Sequence, residues 1–450
     1  MLSSCKSSRT LQENVPVKQY NAERTIWDEQ KQDKQMMNIQ WGIPAFDATT
    51  VIYKRLGKSV LKIELMEPSA VAVADKPYHW GYFQFPNIYK SISGDTIVTS
   101  WNMSADAASA YGKGGSGRRI SIDNGKTWHS SDKSILGGGL VLSSGEMLSV
   151  HTPVALKMDE LDLPAPISKV REGYGRNFTL FRHDELPEVL RGIYINRWDK
   201  NGTFSRIHAS LNDTNLVRYA DGDLLPIVWW GDMYELPDGS IIAGIYPSFY
   251  ENINGKVDPS CVSFYQSFDK GVSWHIKGKI PYIYDAHLDP NGNKRLALGW
   301  TEPAFTILTN GTYLCVIRTT DGYGDSPMYI SRSFDEGVSW SHPVPFTPAG
   351  VLPKLLELDN GILVLASGRP GMQLRFSYDG KGEEWTDPFE LIPYVKGENS
   401  AAATCGYPRI ISNGPNSFLI AYSDFKYPIE NGELRKAIIV REIKVTKLVK

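Results

Sequence analysis

At 450 residues the chain exceeds one ordinary domain, so it is either several domains or one large closed β architecture. Apolar residues at 42% and charged residues at 22% exclude a disordered chain. Lys and Arg number 48 against 50 Asp and Glu, a net charge of −2, which leaves no basic surplus for a nucleic-acid partner. No apolar run reaches the ~18 residues of a membrane span.

The chain starts Met1-Leu2-Ser3-Ser4-Cys5. Leu2 to Cys5 resembles the end of a bacterial lipoprotein signal, which implies a lipid on Cys5, export to the periplasm or cell surface, and membrane anchoring. The alternative is a chance match of four residues. A polar tether would run from Lys6 to about Gln19, and Ala22 to Met37 reads as a short charged helix. Residues 1–40 are therefore expected to be a leader and tether, and 41–450 one β domain. The other cysteines, Cys261, Cys315 and Cys405, sit in apolar, strand-like runs. They read as buried, inert thiols, since no Cys-x-x-Cys spacing suggests zinc or redox chemistry.

Further along, a pattern repeats: Ser-x-Asp-x-Gly-x-x-Trp. It occurs at Ser121–Trp128, Ser267–Trp274 and Ser333–Trp340, and with one extra residue at Ser377–Trp385. Its Asp can accept bonds from its own turn's backbone, its Gly supplies positive φ, and its Trp packs the turn onto a sheet. Asp123, Asp269, Asp335 and Asp379 are therefore structural. Between these turns lie strand pairs joined by Asp-Gly, Asn-Gly or Ser-Gly, strong hairpin signals. Six such hairpins fall near residues 94, 145, 239, 310, 360 and 414. The spacing predicts an all-β, six-bladed β-propeller with a short N-terminal extension. The second unit lacks the Asp motif and carries an insertion around 156–175. Arg118 and Arg119, in the strand leading to the first Asp turn, read as structural.

These turns resemble the Asp-boxes (BNR repeats) of the sialidase, or neuraminidase, superfamily, over roughly residues 80–445. Four segments at the starts of the repeats extend the resemblance. Thr301-Glu302-Pro303, with the hairpin ending at Arg318, is similar to the segment carrying a catalytic Glu and a substrate arginine. Ser367-Gly368-Arg369-Pro370 falls where another substrate arginine is expected. Gly406-Tyr407-Pro408 is similar to the segment with the nucleophilic Tyr. The Asn102–Tyr111 loop takes the place of the acid/base loop, and Asp106 is its only carboxylate. The family's first substrate arginine, in Phe-Arg-Ile-Pro, is replaced in Phe83-Gln84-Phe85-Pro86 by Gln84. Gln84 has an amide but no charge and no guanidinium fork, a loss worth about 1.5–3 kcal/mol per carboxylate contact.

The resemblance implies an exo-acting, retaining glycosidase that removes a terminal acidic sugar from a glycan or oligosaccharide. Tyr407 would attack, Glu302 would take its proton, and Asp106 would serve the leaving oxygen. Arg318 and Arg369 would hold the carboxylate, with Gln84, Trp101 and Arg409 as further substrate contacts. The chemistry calls for no cofactor and no metal, and the chain is expected to act as a monomer. Two other readings stay open on the same scaffold: a lyase acting on uronic-acid polysaccharides, and a non-catalytic glycan-binding propeller.

Overall fold

The computed structural model describes residues 17–22, 48–76, 79–113, 115–319, 325–394 and 398–448. Cys5 lies outside the described residues, as does the helix expected over 22–37 apart from Ala22. Strands and a few three-residue 3-10 turns make up the regular structure, so the chain is all-β. The tether expected as far as Gln19 contains a strand, Val17–Ala22, which pairs in parallel with Thr49–Arg55.

All six Gly-centred turns join antiparallel strands where the sequence placed them. The pairs around residues 94, 239, 310, 360 and 414 link Gln84–Lys90 to Ile97–Asn102, Trp230–Glu235 to Ile241–Tyr250, Trp300–Ile307 to Tyr313–Thr319, Val351–Glu357 to Leu363–Gly368, and Arg409–Ser412 to Ser417–Pro428. The pair around 145 is short, Leu140–Val141 with Met147–His151. Gly at φ 81 and 86 (Gly239, Gly311) supplies the left-handed residue such turns need.

The strands form five hydrogen-bonded sheets: two of four strands, one of three, one of seven and one of thirteen. The four-stranded sheets are simple meanders. The thirteen-stranded sheet arises where the expected insertion falls, but the departure is longer than 156–175 and runs until Ile193 resumes the meander. Within it Ser168–Arg171 and Asn177–Arg182 form a hairpin that pairs with Leu216–Asp221. The seven-stranded sheet joins the two ends of the described chain. Leu61 to Leu65 pair with Lys447 to Ile443, and Ser69–Val73 pairs with the other half of the same long strand, Leu434–Lys447. Alternation in Val60-Leu61-Lys62-Ile63-Glu64-Leu65 carries the signal for this strand, because Leu61, Ile63 and Leu65 face the core.

The core lies between successive sheets. Val364, Phe376 and Phe389 of one meander pack on Phe418, Tyr422 and Ile439 of the next sheet, and Phe264 packs with Phe305, Cys315 and Tyr329. Cys261, Cys315 and Cys405 are buried free thiols, and burial pushes that of Cys261 up to about 11. The innermost strands follow one another in space: Trp230–Glu235 against Trp300–Ile307, then Val351–Glu357, Arg409–Ser412 and Gln84–Lys90.

Each Asp turn is locked as its sequence suggests. Asp269 accepts from Val272 N (3.1 Å), Ser273 N (2.9 Å) and the hydroxyls of Ser273 (2.6 Å) and Ser267 (2.8 Å). Asp123 and Asp335 make the same local bonds, and Asp379 accepts four backbone N–H groups across its extra residue. Trp274 closes its turn by donating to Gly271 O at 3.2 Å, while Trp340 stacks on Phe264 at 4.1 Å between centroids. Burial works against the Asp269 carboxylate, but these donors outweigh it and lower its pKa. Asp269→Ala is therefore expected to cost about 1–3 kcal/mol in urea unfolding at pH 7. Because the folded pKa is depressed, this difference is complete above the unfolded aspartate value of ~3.9 and should shrink as pH falls from there through the lower folded pKa.

Candidate active site

The starts of four inner strands share one sequence device, a residue followed by proline: Phe85-Pro86, Glu302-Pro303, Leu352-Pro353 and Tyr407-Pro408. Proline has no N–H for the ladder, so the pairing slips there. The register shifts between Gln84 and Asn87, between Thr301 and Ala304, and between Val351 and Lys354. Phe85, Glu302 and Leu352 take φ of 53, 45 and 39°, left-handed conformations that cost a non-glycine residue free energy. In the Tyr407 strand the left-handed residue is Gly406 instead, at φ 74°. A Cβ on Gly368 would meet Gly406 Cα at 2.1 Å, so the segments carrying Arg369 and Tyr407 touch backbone to backbone.

This geometry brings together four of the residues expected from sequence. The Tyr407 hydroxyl donates to Glu302 Oε1 at 2.5 Å. Arg318 Nη1 donates to Glu302 Oε2 and to the Tyr407 oxygen, both at 2.7 Å. Leu352 N donates to Glu302 Oε2 at 3.0 Å. Thr301 and Arg318 are direct cross-strand partners, which is why Glu302 and Arg318 meet. Arg369 is anchored through Nε to Cys405 O at 3.1 Å, and its guanidinium lies 5.4 Å from the Tyr407 ring centroid. Phe85 meets the same ring edge-on at 4.9 Å.

Glu302 and Arg318 are both buried, at 8% and 6% exposure. Burial opposes charge on Glu302, but Arg318, the Tyr407 hydroxyl and Arg369 outweigh it and hold the pKa below the usual glutamate range. Tyr407 is pushed the other way, first by burial and then by Glu302, against the opposing pull of Arg318 and Arg369. The resting group is thus a neutral phenol on an ionised carboxylate. Arg318 Nε is buried and has no partner among the described residues, so the guanidinium keeps a free donor. It lines a cavity of about 300 Å³ together with Arg369, Trp80, Tyr174, Asp325 and Asn399.

The remaining expected residues lie elsewhere. Asp106 is exposed, and its Oδ2 accepts from Trp80 Nε1 at 3.1 Å. Gln84 is wholly buried, and among the described residues neither of its amide atoms has a partner. Burial takes it out of direct contact with anything that enters from solvent. Trp101 is likewise packed in the core beside Phe83, with Nε1 on Met103 Sδ at 3.2 Å. Arg409 is half-buried within the electrostatic reach of Lys354 and Asp232. Burial, then the charge of Arg409, bring Lys354 down to about 8, although Asp232 lies 3.6 Å away.

Apart from Arg318 and Arg369 the lining escaped the sequence reading, the aromatic residues Trp80 and Tyr174 included. Tyr174 sits at φ 60° at the tip of the inserted hairpin, with its ring 64% exposed. The tip is held by Glu172, whose Oε2 accepts Leu296 N, Ala297 N and Leu298 N at 2.8–3.2 Å. Its signal was a tyrosine between two glycines, Gly173-Tyr174-Gly175. Among the described residues no cluster of His, Cys, Asp and Glu could hold a metal.

No family model matches the chain, and no curated protein matches it. Solved structures do align with most of its length. A Dyadobacter fermentans protein of unknown function covers 85% of this chain and 99% of its own at 15% identity, with a TM-score of 0.51. The NanB sialidase of Streptococcus pneumoniae covers 85% and 70% at 12% identity (TM-score 0.42). An α-L-arabinofuranosidase variant from Fusarium graminearum covers 83% and 97% at 14% identity (TM-score 0.43). At such identities the D. fermentans alignment shows a shared fold.

Proposed function

We propose that the protein is a retaining exo-glycosidase of the sialidase superfamily, built on a six-bladed propeller, that removes a terminal acidic sugar from glycans. In this reading each of the six hairpins belongs to one blade, and the sheet shared by both chain ends closes the ring. Export and a lipid on Cys5 belong to the same proposal. The observation that carries it is the Tyr407–Glu302–Arg318 hydrogen-bonded group, whose Arg318 lines a cavity together with the neighbouring Arg369.

A sugar whose carboxylate sits on the anomeric carbon repels an anionic nucleophile. A neutral tyrosine that ionises only as it attacks avoids that repulsion. As the Tyr407 oxygen bonds the anomeric carbon, its proton passes to Glu302, to which it is already bonded. Arg318 Nη1 stabilises the charge developing on the phenolic oxygen. The bond to the leaving oxygen breaks, and Asp106 donates the proton that oxygen needs. In the second half Asp106 takes a proton from water, the water oxygen bonds the anomeric carbon as the Tyr407–carbon bond breaks, and the freed Tyr407 oxygen recovers its proton from Glu302. The guanidinium groups of Arg318 and Arg369, both of which line the cavity, hold the carboxylate throughout.

Aryl glycosides of N-acetylneuraminic acid and of uronic acids test this reading. Tyr407→Phe is expected to lower kcat by roughly 10³-fold or more while retaining ligand binding. An active Tyr407→Phe enzyme removes tyrosine as the nucleophile. Arg369→Lys keeps the charge but not the fork, and should raise KM for the acidic sugar by about one to two decades.

The pH profile is a third test. Glu302 must be ionised to act as base, and its pKa is depressed, so it stays ionised as pH falls through the ordinary glutamate range. The acid limb of kcat/KM should therefore lie below pH ~4.3. An acid limb above pH ~5 would exclude Glu302 as the base.

A further inference from the structure

We infer that Trp80 is a positioning residue for Asp106, fixing which carboxyl oxygen carries the proton to the leaving group. The inference rests on the glycosidase reading above and adds a residue to it.

The Asp106 loop does not stand alone. Asn102 Nδ2 donates to Gly81 O at 2.9 Å and to Ser104 O at 2.8 Å, tying the Trp80 segment to the Asp106 segment. Gly81 is at φ 97°, and a Cβ there would fall 2.4 Å from Ser104 O and 2.5 Å from Asp106 N. The two backbones thus pack as closely as glycine permits. From the other side Lys436 Nζ donates to His79 O at 2.9 Å and to Tyr82 O at 3.2 Å, clamping the segment that carries Trp80.

The indole is fixed at both ends. Its ring faces the Arg369 guanidinium at 5.3 Å and meets Phe425 edge-on at 6.2 Å. Its Nε1–H reaches Asp106 Oδ2 at 3.1 Å, and it lines the cavity that Arg318 and Arg369 share. Among the described residues it is the hydrogen-bond partner of the Asp106 side chain.

An indole N–H can donate and cannot accept. The carbonyl oxygen of a carboxylic acid accepts better than its hydroxyl oxygen, so the indole bond favours a bare Oδ2 and places the transferable proton on Oδ1. Without the indole donor, either oxygen could carry it, and the carboxyl could rotate the proton away from the leaving oxygen. Because the same ring rests on Arg369, the cation that holds the sugar carboxylate also sets the position of the acid.

Trp80→Phe keeps a ring for Arg369 and Phe425 and removes only the donor. The measurement is kcat/KM on phenyl and 4-nitrophenyl glycosides of whichever acidic sugar, N-acetylneuraminic or glucuronic acid, the wild-type protein cleaves. The phenyl group leaves poorly and depends on proton donation; 4-nitrophenyl departs with little help. The ratio of the two rates, taken from one protein sample, is independent of the fraction correctly folded. Trp80→Phe should raise the 4-nitrophenyl to phenyl ratio about tenfold or more, and Asp106→Asn should raise it further, within the 10²–10⁴-fold range of general acid catalysis. An unchanged ratio in Trp80→Phe overturns the role of Trp80 and leaves the glycosidase reading standing. An unchanged ratio in Asp106→Asn removes Asp106 as the acid, and Trp80 with it. A wild-type protein that cleaves neither series overturns both.

Discussion

The ion pair between Glu302 and Arg318 is the contact on which the site depends. Either charge alone, as buried as these are, would cost several kcal/mol. Together they compensate each other, and the geometry adds two neutral donors to the carboxylate, the Tyr407 hydroxyl and the Leu352 amide. Three strands from three different parts of the chain are thereby fixed to one carboxylate. Removing Glu302 would strand Arg318 and release Tyr407; removing Arg318 would raise Glu302 and leave Tyr407 without its second partner. The pair is a structural tie and, in the reaction proposed above, the base and its counter-charge as well.

Holding that carboxylate in place requires the backbone to leave the regular ladder three times. Proline after Phe85, Glu302 and Leu352 creates the slip, and the left-handed residue before it redirects the side chain. Such conformations persist only where the surroundings over-determine them. The surroundings here are the meanders behind each strand, locked by Asp turns, and the sheet that joins Lys58–Leu65 to the C-terminal strand. Scaffold bonds such as those of Asp335, behind the Glu302 strand, and Asp379, behind the Leu352 strand, thus stabilise strain at a distance.

What was legible in the sequence was local. The six hairpins read correctly because Gly with Asp, Asn or Ser fixes a turn within four residues, and the Asp turns read correctly because their bonds span only five. Glu302, Arg318, Arg369 and Tyr407 were singled out by a resemblance that resides in short segments of chain, and the structure brings those four side chains together. Trp80 and Tyr174 were not, because what places them is remote: Lys436 for one, the amides of residues 296–298 for the other. Gln84 and Trp101 were read as contacts from their positions in the chain, whereas burial is decided by what the rest of the fold lays over them. The closing strand pair is the largest such non-local feature, joining residues nearly 400 positions apart.

Charge arithmetic at the cavity explains how glutamine suits position 84. Arg318 and Arg369 carry two positive charges, and Glu302 with Asp325 of the cavity wall two negative, so the charges balance. An arginine at 84 would add an uncompensated charge at a point wholly out of solvent and, among the described residues, without a hydrogen-bond partner. An isolated buried charge costs far more than the ~1–3 kcal/mol of an unsatisfied amide. A neutral residue is therefore what this packing tolerates, while the two arginines are balanced by Glu302 on one side and by Cys405 O and two aromatic faces on the other.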